Sequence, residues 1–129
     1  MEYLFLAGRV LYGGFFVLAG IDHFRLVGMM TPYAAAKGIP APRLAVLGSG
    51  SLIVLGGLSL LLGARPDWGV LLLTAFLVPT SFLMHNYWTA TDPSARLMDM
   101  TNFKKNIALL GAAWMLLLIP QPWPLSVRW

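Results

Sequence analysis

The stretch LAVLGSGSLIVLGGLSLLLGA, residues 44–64, decides the fold because it carries no charged side chain over a length that can cross a bilayer. A transmembrane helix needs roughly 20 consecutive apolar residues. The apolar residues here are continuous rather than alternating, which is typical of a helix and not of a barrel strand. Only helices and closed barrels satisfy every backbone hydrogen-bonding group in hydrocarbon. The stretch therefore predicts a transmembrane α-helix.

Three further apolar segments lie around it, at about residues 3–24, 69–88 and 103–119. The whole chain of 129 residues is 58% hydrophobic and only 11% charged, whereas a soluble domain carries about 25% charged residues. Lipid must therefore cover the surface that charged side chains cover in a soluble protein. We predict an all-α, polytopic membrane protein, a bundle of four transmembrane helices that forms a single domain over residues 1–129.

The basic residues predict how the chain is oriented in the cell membrane. With four spans, the linkers at 25–43 and 89–103 lie on one side, together with the start of the last span. That side carries Arg25, Lys37, Arg43, Arg96, Lys104 and Lys105, and the other side carries Arg65 and Arg128. Basic loops stay in the cytoplasm, so we expect both linkers to be cytoplasmic and both termini to be outside. The net charge of +4 then reflects membrane topology, and we expect lipid rather than nucleic acid as a partner.

The absence of cysteine restricts the possible chemistry. It excludes disulfides, thiol redox chemistry, thiolate zinc sites, iron–sulfur clusters and covalently attached c-type haem. Any redox function must therefore use a bound cofactor, a quinone or a partner protein.

Arg9 lies inside the first span, where a central arginine costs about 2.5–3.5 kcal/mol even on the lenient insertion scale. Its side chain either extends to the headgroups or faces the interior of the bundle. Intervals of three and four residues place a set of residues on one helical face. This first-span stripe consists of Arg9, Gly13, Phe16, Gly20 and His23. The spacing favours an inward face, with a slot beside the glycines.

The third span repeats this arrangement. Thr74, Ser81 and His85 share a helical face by spacing, and Pro79 leaves the carbonyl of Ala75 without its usual helical donor. By the predicted orientation, three of the four spans bring polar residues to the cytoplasmic leaflet. These are Asp22, His23, His85, Asn86, Asn102, Lys105 and Asn106.

Two interpretations of this polar set stay open. It can be a hydrogen-bond network that fixes helix ends, or a site for a polar headgroup such as that of a quinone, whose carbonyls need His, Asn or Lys donors. Two histidines alone are a weak signal, so neither a metal site nor haem b held by His23 and His85 is expected. Small residues at four-residue spacing, among them Ala41, Ala45, Ser49 and Gly57, also predict close helix packing, within the bundle or in a homo-oligomer.

Four blocks of the sequence resemble the DoxX family of small four-span membrane proteins. They are GRVLYGGFFVLAGIDHF, YAAAKGIPAP, FLVPTSFLMHNYW followed by DP, and NFKKNIALLGAA. The resemblance extends over nearly the whole chain and implies family-like positions at Arg9, Gly20, His23, Lys37, Gly38, Pro40, Pro79, His85, Asn86, Asp92, Lys105 and Asn106. The family is named for its similarity to a subunit of an archaeal thiosulfate:quinone oxidoreductase, also described as a terminal quinol oxidase subunit. Other members are associated with oxidative stress, thiol-redox complexes or quinone detoxification.

The resemblance implies a membrane subunit of a quinone-linked redox system that works with other redox-complex subunits. The expected quinone-binding residues are Arg9, Asp22, His23, His85, Asn86, Lys105 and Asn106. The redox centre would belong to a partner, because the chain itself offers no obvious one. Two alternatives are a non-catalytic scaffold that recruits redox enzymes and a small-solute carrier that uses a slot between Arg9 and His23.

Overall fold

The structure, a computed structural model, describes residues 1–128 and confirms the all-α prediction, since these residues contain no β-strand. The helices are α1 (Glu2–Arg25), α2 (Val27–Ala36), α3 (Pro42–Leu62), α4 (Pro66–Leu83), a 3₁₀ turn (Tyr87–Thr89) and α5 (Pro93–Leu116).

Three segments of the described chain are long and apolar enough to cross a membrane: Glu2–Arg25, Pro42–Leu62 and Pro66–Thr89. They support a membrane location for the protein. The helix α5 is different, because its first 13 residues include Arg96, Asp99, Lys104 and Lys105. A fourth span at 103–119 therefore stays a prediction.

The long helices pack around α3, which lies between α1 and α4, while α5 packs on the other side of α4. The short helix α2 lies against α3. Across residues 1–128, the Cα atoms of α1 and α5 stay more than 8 Å apart, and only side chains connect the two helices. The hydroxyl of Tyr12 donates to the carbonyl of Leu109, and the ammonium of Lys105 lies 5.7 Å from the ring centre of Phe15.

Glycines set the close approach of α1 to α3. A Cβ atom placed on Gly13 would lie 2.6 Å from the carbonyl oxygen of Gly57, and one on Gly20 would lie 2.8 Å from that of Gly50. Small residues permit such backbone contacts between helices in lipid. The first-span stripe does face inward, since Arg9, Gly13, Phe16 and Gly20 are buried. However, the backbone of α3 fills the space beside the two glycines, so the predicted slot is a packing seam.

Local structure differs from the sequence-based expectation at two places on the predicted cytoplasmic side. The linker 25–43 contains the helix α2, which the sequence analysis treated as loop. The helix α4 ends at Leu83, two residues before His85, so helical spacing does not place His85 on a face with Thr74 and Ser81. That expectation was wrong because the predicted span ran to residue 88, whereas the helix ends at Leu83 and is followed by the 3₁₀ turn.

Arg9 connects the other end of the bundle to the C-terminal segment. Its guanidinium donates to the carbonyls of Leu60 (3.3 Å) and Leu61 (3.0 Å) in the last turn of α3. It also donates to Pro124 (2.7 Å) and Leu125 (3.3 Å). The last carbonyls of a helix lack intrahelical donors and carry partial negative charge. The buried guanidinium therefore supplies donors to carbonyls at the end of α3 and holds the C-terminal segment against this helix end.

We predict that the substitution Gly13→Ala destabilises the bundle by about 1–3 kcal/mol, the usual cost of overpacking. The added methyl would meet the backbone of Gly57 and Leu61, which cannot move aside as a side chain can. The matched control is Gly14→Ala, where no atom lies within 4 Å of the added Cβ. Its effect should remain within about 1 kcal/mol. Unfolding by titration with a denaturing detergent measures both, and equal effects of the two substitutions would contradict the assignment of the seam.

Candidate functional site

A cavity of about 490 Å³ opens inside the bundle, between α1, α2, α3, α4 and the middle of α5. We refer to it as the bundle cavity. Its apolar wall includes Phe16, Ala19, Val46, Leu52, Ile53 and Phe76, and its polar groups include His23, Tyr33, His85, Lys105 and Asn106. Small-molecule sites usually measure about 300–1,000 Å³ and combine apolar walls with a few polar groups. The size and lining of the bundle cavity are therefore those of a site for an aromatic molecule with a polar end.

The cavity exists because α1 and α5 are held apart. The glycine seam fixes α1 against α3, while α5 packs on α4. Ala45 and Ser49, two of the small residues predicted to mediate helix packing, instead line the cavity. Gly57 does mediate close packing, as predicted, and Gly50, the residue after Ser49, does so as well.

A buried carboxylate organises the polar groups at one end of the cavity. Asp99, only 4% exposed, accepts hydrogen bonds from the ammonium of Lys37 (2.8 Å) and the hydroxyl of Tyr33 (3.2 Å). The Nδ1 atom of His85 lies 3.4 Å from the same carboxylate. Lys37 also donates to the side-chain oxygen of Asn86 at 3.1 Å. We call these five residues the Asp99 cluster; it joins α2, the end of α4 and the start of α5.

The local sequence explains how Lys37 reaches this cluster. The helix α2 ends in a Schellman motif, in which Gly38 has a φ of +78°. The amides of Gly38 and Ile39 donate to the carbonyls of Ala35 and Ala34. Glycine tolerates this left-handed conformation, so the chain turns sharply and Lys37 lies at the last position before the turn.

The sequence Asp92-Pro93 positions the carboxylate of Asp99. The side chain of Asp92 accepts a hydrogen bond from the amide of Ala95 at 2.9 Å and caps α5, and Pro93 occupies the first turn. Both residues are typical of a helix start. The helix α5 therefore begins well before the apolar run, and Asp99 lies in its second turn.

The Asp99 cluster also determines the charge states of its members. Burial alone would raise the pKa of Asp99, but hydrogen bonds from Lys37, His85 and Tyr33 and the charge of Lys37 hold it below its usual value. The carboxylate is therefore ionised at neutral pH. For Tyr33, burial and the neighbouring Asp99 charge raise the pKa to about 12, so its hydroxyl stays protonated and donates to the carboxylate.

Two more polar side chains line the cavity from α5. Asn106 is 5% exposed, and within residues 1–128 its amide has no hydrogen-bond partner in the protein. Lys105 donates to Asn102 at 3.4 Å and has no carboxylate within 4 Å in the described part of the chain. Both groups can donate to a ligand oxygen.

The structure brings together some of the predicted binding residues and separates others. Four of the predicted residues line the cavity: His23, His85, Lys105 and Asn106. Asn86 is not part of the lining, but its side chain accepts a hydrogen bond from Lys37 in the Asp99 cluster. Asp22 is exposed and is not part of the lining. Arg9 lies at the opposite end of the bundle, where its guanidinium donates hydrogen bonds to four backbone carbonyls. No three His, Asp or Glu side chains gather as metal ligands within residues 1–128.

Asp99 and Tyr33, the acceptor and one donor of the cluster, were not predicted from the sequence. Asp99 falls in the predicted linker 89–103, and its partners lie 62 and 66 positions away along the chain. The only available signal was the Asp92-Pro93 pair, which predicts a helix start and places Asp99 inside that helix.

A family model described as DoxX matches residues 4–86 of the chain. Searches of curated proteins and of solved structures found no match. The matched segment contains all but the first two residues of α1 and all of α2 to α4, and supplies most of the cavity wall. Asp99, Lys105 and Asn106 lie beyond it.

We predict that Asp99→Asn lowers the stability of the protein by about 1–3 kcal/mol at neutral pH, because Lys37 loses its buried ionic acceptor. Since the pKa of Asp99 is depressed in the folded state, the carboxylate stabilises the fold above its ordinary pKa. This contribution disappears as the pH falls through the lower, folded-state pKa. The substituted protein should therefore lose less stability than the original on acidification.

The control for this prediction is Asp22→Asn, a loss of the same charge at an exposed position. Detergent-induced unfolding between neutral and acidic pH compares the two proteins. If both substitutions had the same small effect, the Asp99 cluster would contribute nothing to the fold.

Proposed function

The chain belongs to the DoxX family, and we propose that it is the membrane subunit of a quinone-linked redox system that binds a quinone headgroup in the bundle cavity. The observation that carries the proposal is a cavity of about 490 Å³ whose apolar wall ends in His23, His85, Lys105 and Asn106. The family supports a link to quinone-related oxidoreductases, and the size and lining of the cavity support it as the proposed binding site.

The shape and chemistry of the cavity suit a quinone. A flat ring packs against apolar and aromatic side chains such as Phe16, Ile53 and Phe76. Its oxygens need donors where the hydrocarbon meets polar groups, and Asn106 has an amide without a protein partner among the described residues. Asn106 lines the cavity and its amide is not sealed from it, so a ligand oxygen there can accept a hydrogen bond from this donor.

The proline in α4 adds an acceptor to the cavity wall. Pro79 has no amide hydrogen, so the carbonyl of Ala75 loses its intrahelical donor, and both residues line the cavity. The wall therefore offers donors on α5 and an acceptor on α4 to a molecule bound between them.

We further propose that the Asp99 cluster lies at the cytoplasmic leaflet and that both termini are outside. The basic residues Arg25, Lys37 and Arg43 lie on the segment that covers this end of the bundle, and loops of this kind stay in the cytoplasm. A quinone would then reach the cavity from the lipid, and the redox enzyme that exchanges electrons with it would bind on the cytoplasmic side.

Among the alternatives, a carrier would need an open path along the first-span stripe. The backbone of α3 packs against Gly13 and Gly20 and closes this path. The packing of α1 therefore favours a binding site at one end over a channel through the bundle.

We predict that Ala45→Phe, which fills the cavity from α3, weakens binding of a short-chain ubiquinone analogue by about tenfold or more, equivalent to about 1.4 kcal/mol. The matched control is Ala7→Phe, the same substitution at an exposed position of α1. Purification in a mild detergent, extraction with organic solvent and titration with the analogue measure retained and added quinone.

The expected result is quinone in the extract of the original protein and of the Ala7 variant, with loss in the Ala45 variant. An extract without quinone, together with no saturable binding of the analogue, would overturn the proposed function. Equal binding to the two variants would place the quinone outside the bundle cavity.

A further inference from the structure

The two histidines of the chain have the same hydrogen-bonding arrangement. Nδ1 of His23 lies 2.8 Å from the carbonyl oxygen of Ala19, one turn back in α1. Nδ1 of His85 lies 3.4 Å from a carboxylate oxygen of Asp99. A carbonyl and an ionised carboxylate can only accept hydrogen bonds. Both histidines must therefore carry a proton on Nδ1.

The neutral form of each ring then has its lone pair on Nε2. A neutral imidazole has one donor nitrogen and one acceptor nitrogen, and the partner of one nitrogen determines the role of the other. Within the described chain neither Nε2 atom has a hydrogen-bond partner, and neither is sealed from contact as a buried unsatisfied atom. Since both residues line the bundle cavity, the cavity contains two hydrogen-bond acceptors from histidine.

From this arrangement we infer that His23 and His85 select an aromatic ring that carries hydroxyl groups, the reduced form of a quinone, over the ring that carries carbonyls. The inference rests on the proposed function and names the form of the ligand that the same site prefers. A carbonyl oxygen has no hydrogen to donate to an Nε2 atom, whereas a hydroxyl donates one hydrogen bond and also accepts.

The other polar groups of the cavity are compatible with a hydroxyl. Lys105 and Asn106 line the cavity as donors, so the oxygen of a hydroxyl can accept from α5 while its hydrogen points to a histidine. Tyr33 contributes no free donor, since its hydroxyl donates to Asp99. The oxidised quinone, whose ring carries carbonyls, would accept from Lys105 and Asn106 but leave both histidine Nε2 atoms without partners.

The two histidines should contribute unequally. His85 donates to a carboxylate that also binds Lys37, whereas His23 donates to a neutral backbone carbonyl. The contact of His85 is longer, at 3.4 Å against 2.8 Å for His23, but the full negative charge of a carboxylate on one nitrogen makes the other nitrogen a better acceptor. His85 is therefore the main specificity-determining residue.

A stable pair of aromatic probes tests the inference without redox chemistry. β-Naphthol and its methyl ether share the same bicyclic ring, but only the naphthol donates a hydrogen bond. We expect the naphthol to bind the purified protein about tenfold more tightly than the ether, the effect of one good hydrogen bond. The ratio of the dissociation constant of the ether to that of the naphthol should approach one in His85→Phe and decrease less in His23→Phe. It should remain unchanged in the exposed control Thr101→Val.

Binding of the ether shows that each variant is folded and retains its cavity. A ratio near one in the original protein would overturn the inference. A ratio that persists in both histidine variants would also overturn it, because the extra methyl group, and not a lost hydrogen bond, would then explain the difference. If the quinone analogue still binds in either case, the proposed function survives; if no ring binds, both fail.

A second readout is independent of any ligand. The chain has two histidines, so nitrogen-15 labelling of histidine gives two rings, and His23→Gln assigns them. Nuclear magnetic resonance should show the neutral rings with hydrogen on Nδ1 and a bare Nε2. Hydrogen on Nε2 of both rings would contradict the inference.

Discussion

The contact between the backbones of α1 and α3 is the constraint on which the rest of the structure depends. At Gly13 and Gly20 the helices approach so closely that a Cβ atom would collide with a carbonyl of α3. Lipid supplies no hydrophobic force between helices, so close packing of small residues is what holds them together. Because α1 is fixed to α3 while α5 packs on α4, the space between α1 and α5 stays open as the bundle cavity.

The two ends of the bundle use buried charge differently. At one end, Arg9 satisfies carbonyls of the α3 terminus and of the C-terminal segment, so its role is to hold backbone in place. At the other end, Asp99 accepts from side chains on α2 and α4 and thereby orients His85 at the cavity. A buried charge needs several partners to offset its desolvation. Arg9 commits four of its five N–H donors to backbone carbonyls, whereas the Asp99 cluster leaves Nε2 of His85 available.

Much of the fold follows from the sequence, because bilayer thickness and helical periodicity are strong constraints. The spacing of Arg9, Gly13, Phe16 and Gly20 correctly predicted the buried face of α1. The point at which α4 ends was not predictable from hydropathy, since Met84, Tyr87 and Trp88 beyond Leu83 still suit the end of a membrane span. The Asp99 cluster beside the cavity was not predictable either. Asp99 lies in what reads as a linker, and its contacts to Tyr33 and Lys37 join distant parts of the chain. Local patterns contain no information about such pairs.

The central claim is that an aromatic ring binds inside the bundle, between α1 and α5, and not on its lipid-facing surface. Photolabelling with an azido-quinone, followed by mass-spectrometric mapping of the modified peptides, tests this most directly. We expect modification at cavity positions such as Met30, Ala45 and Ser49, and loss of the label when unlabelled quinone competes. Labelling that falls on outward positions such as Trp114 and Leu118 and resists competition would contradict it.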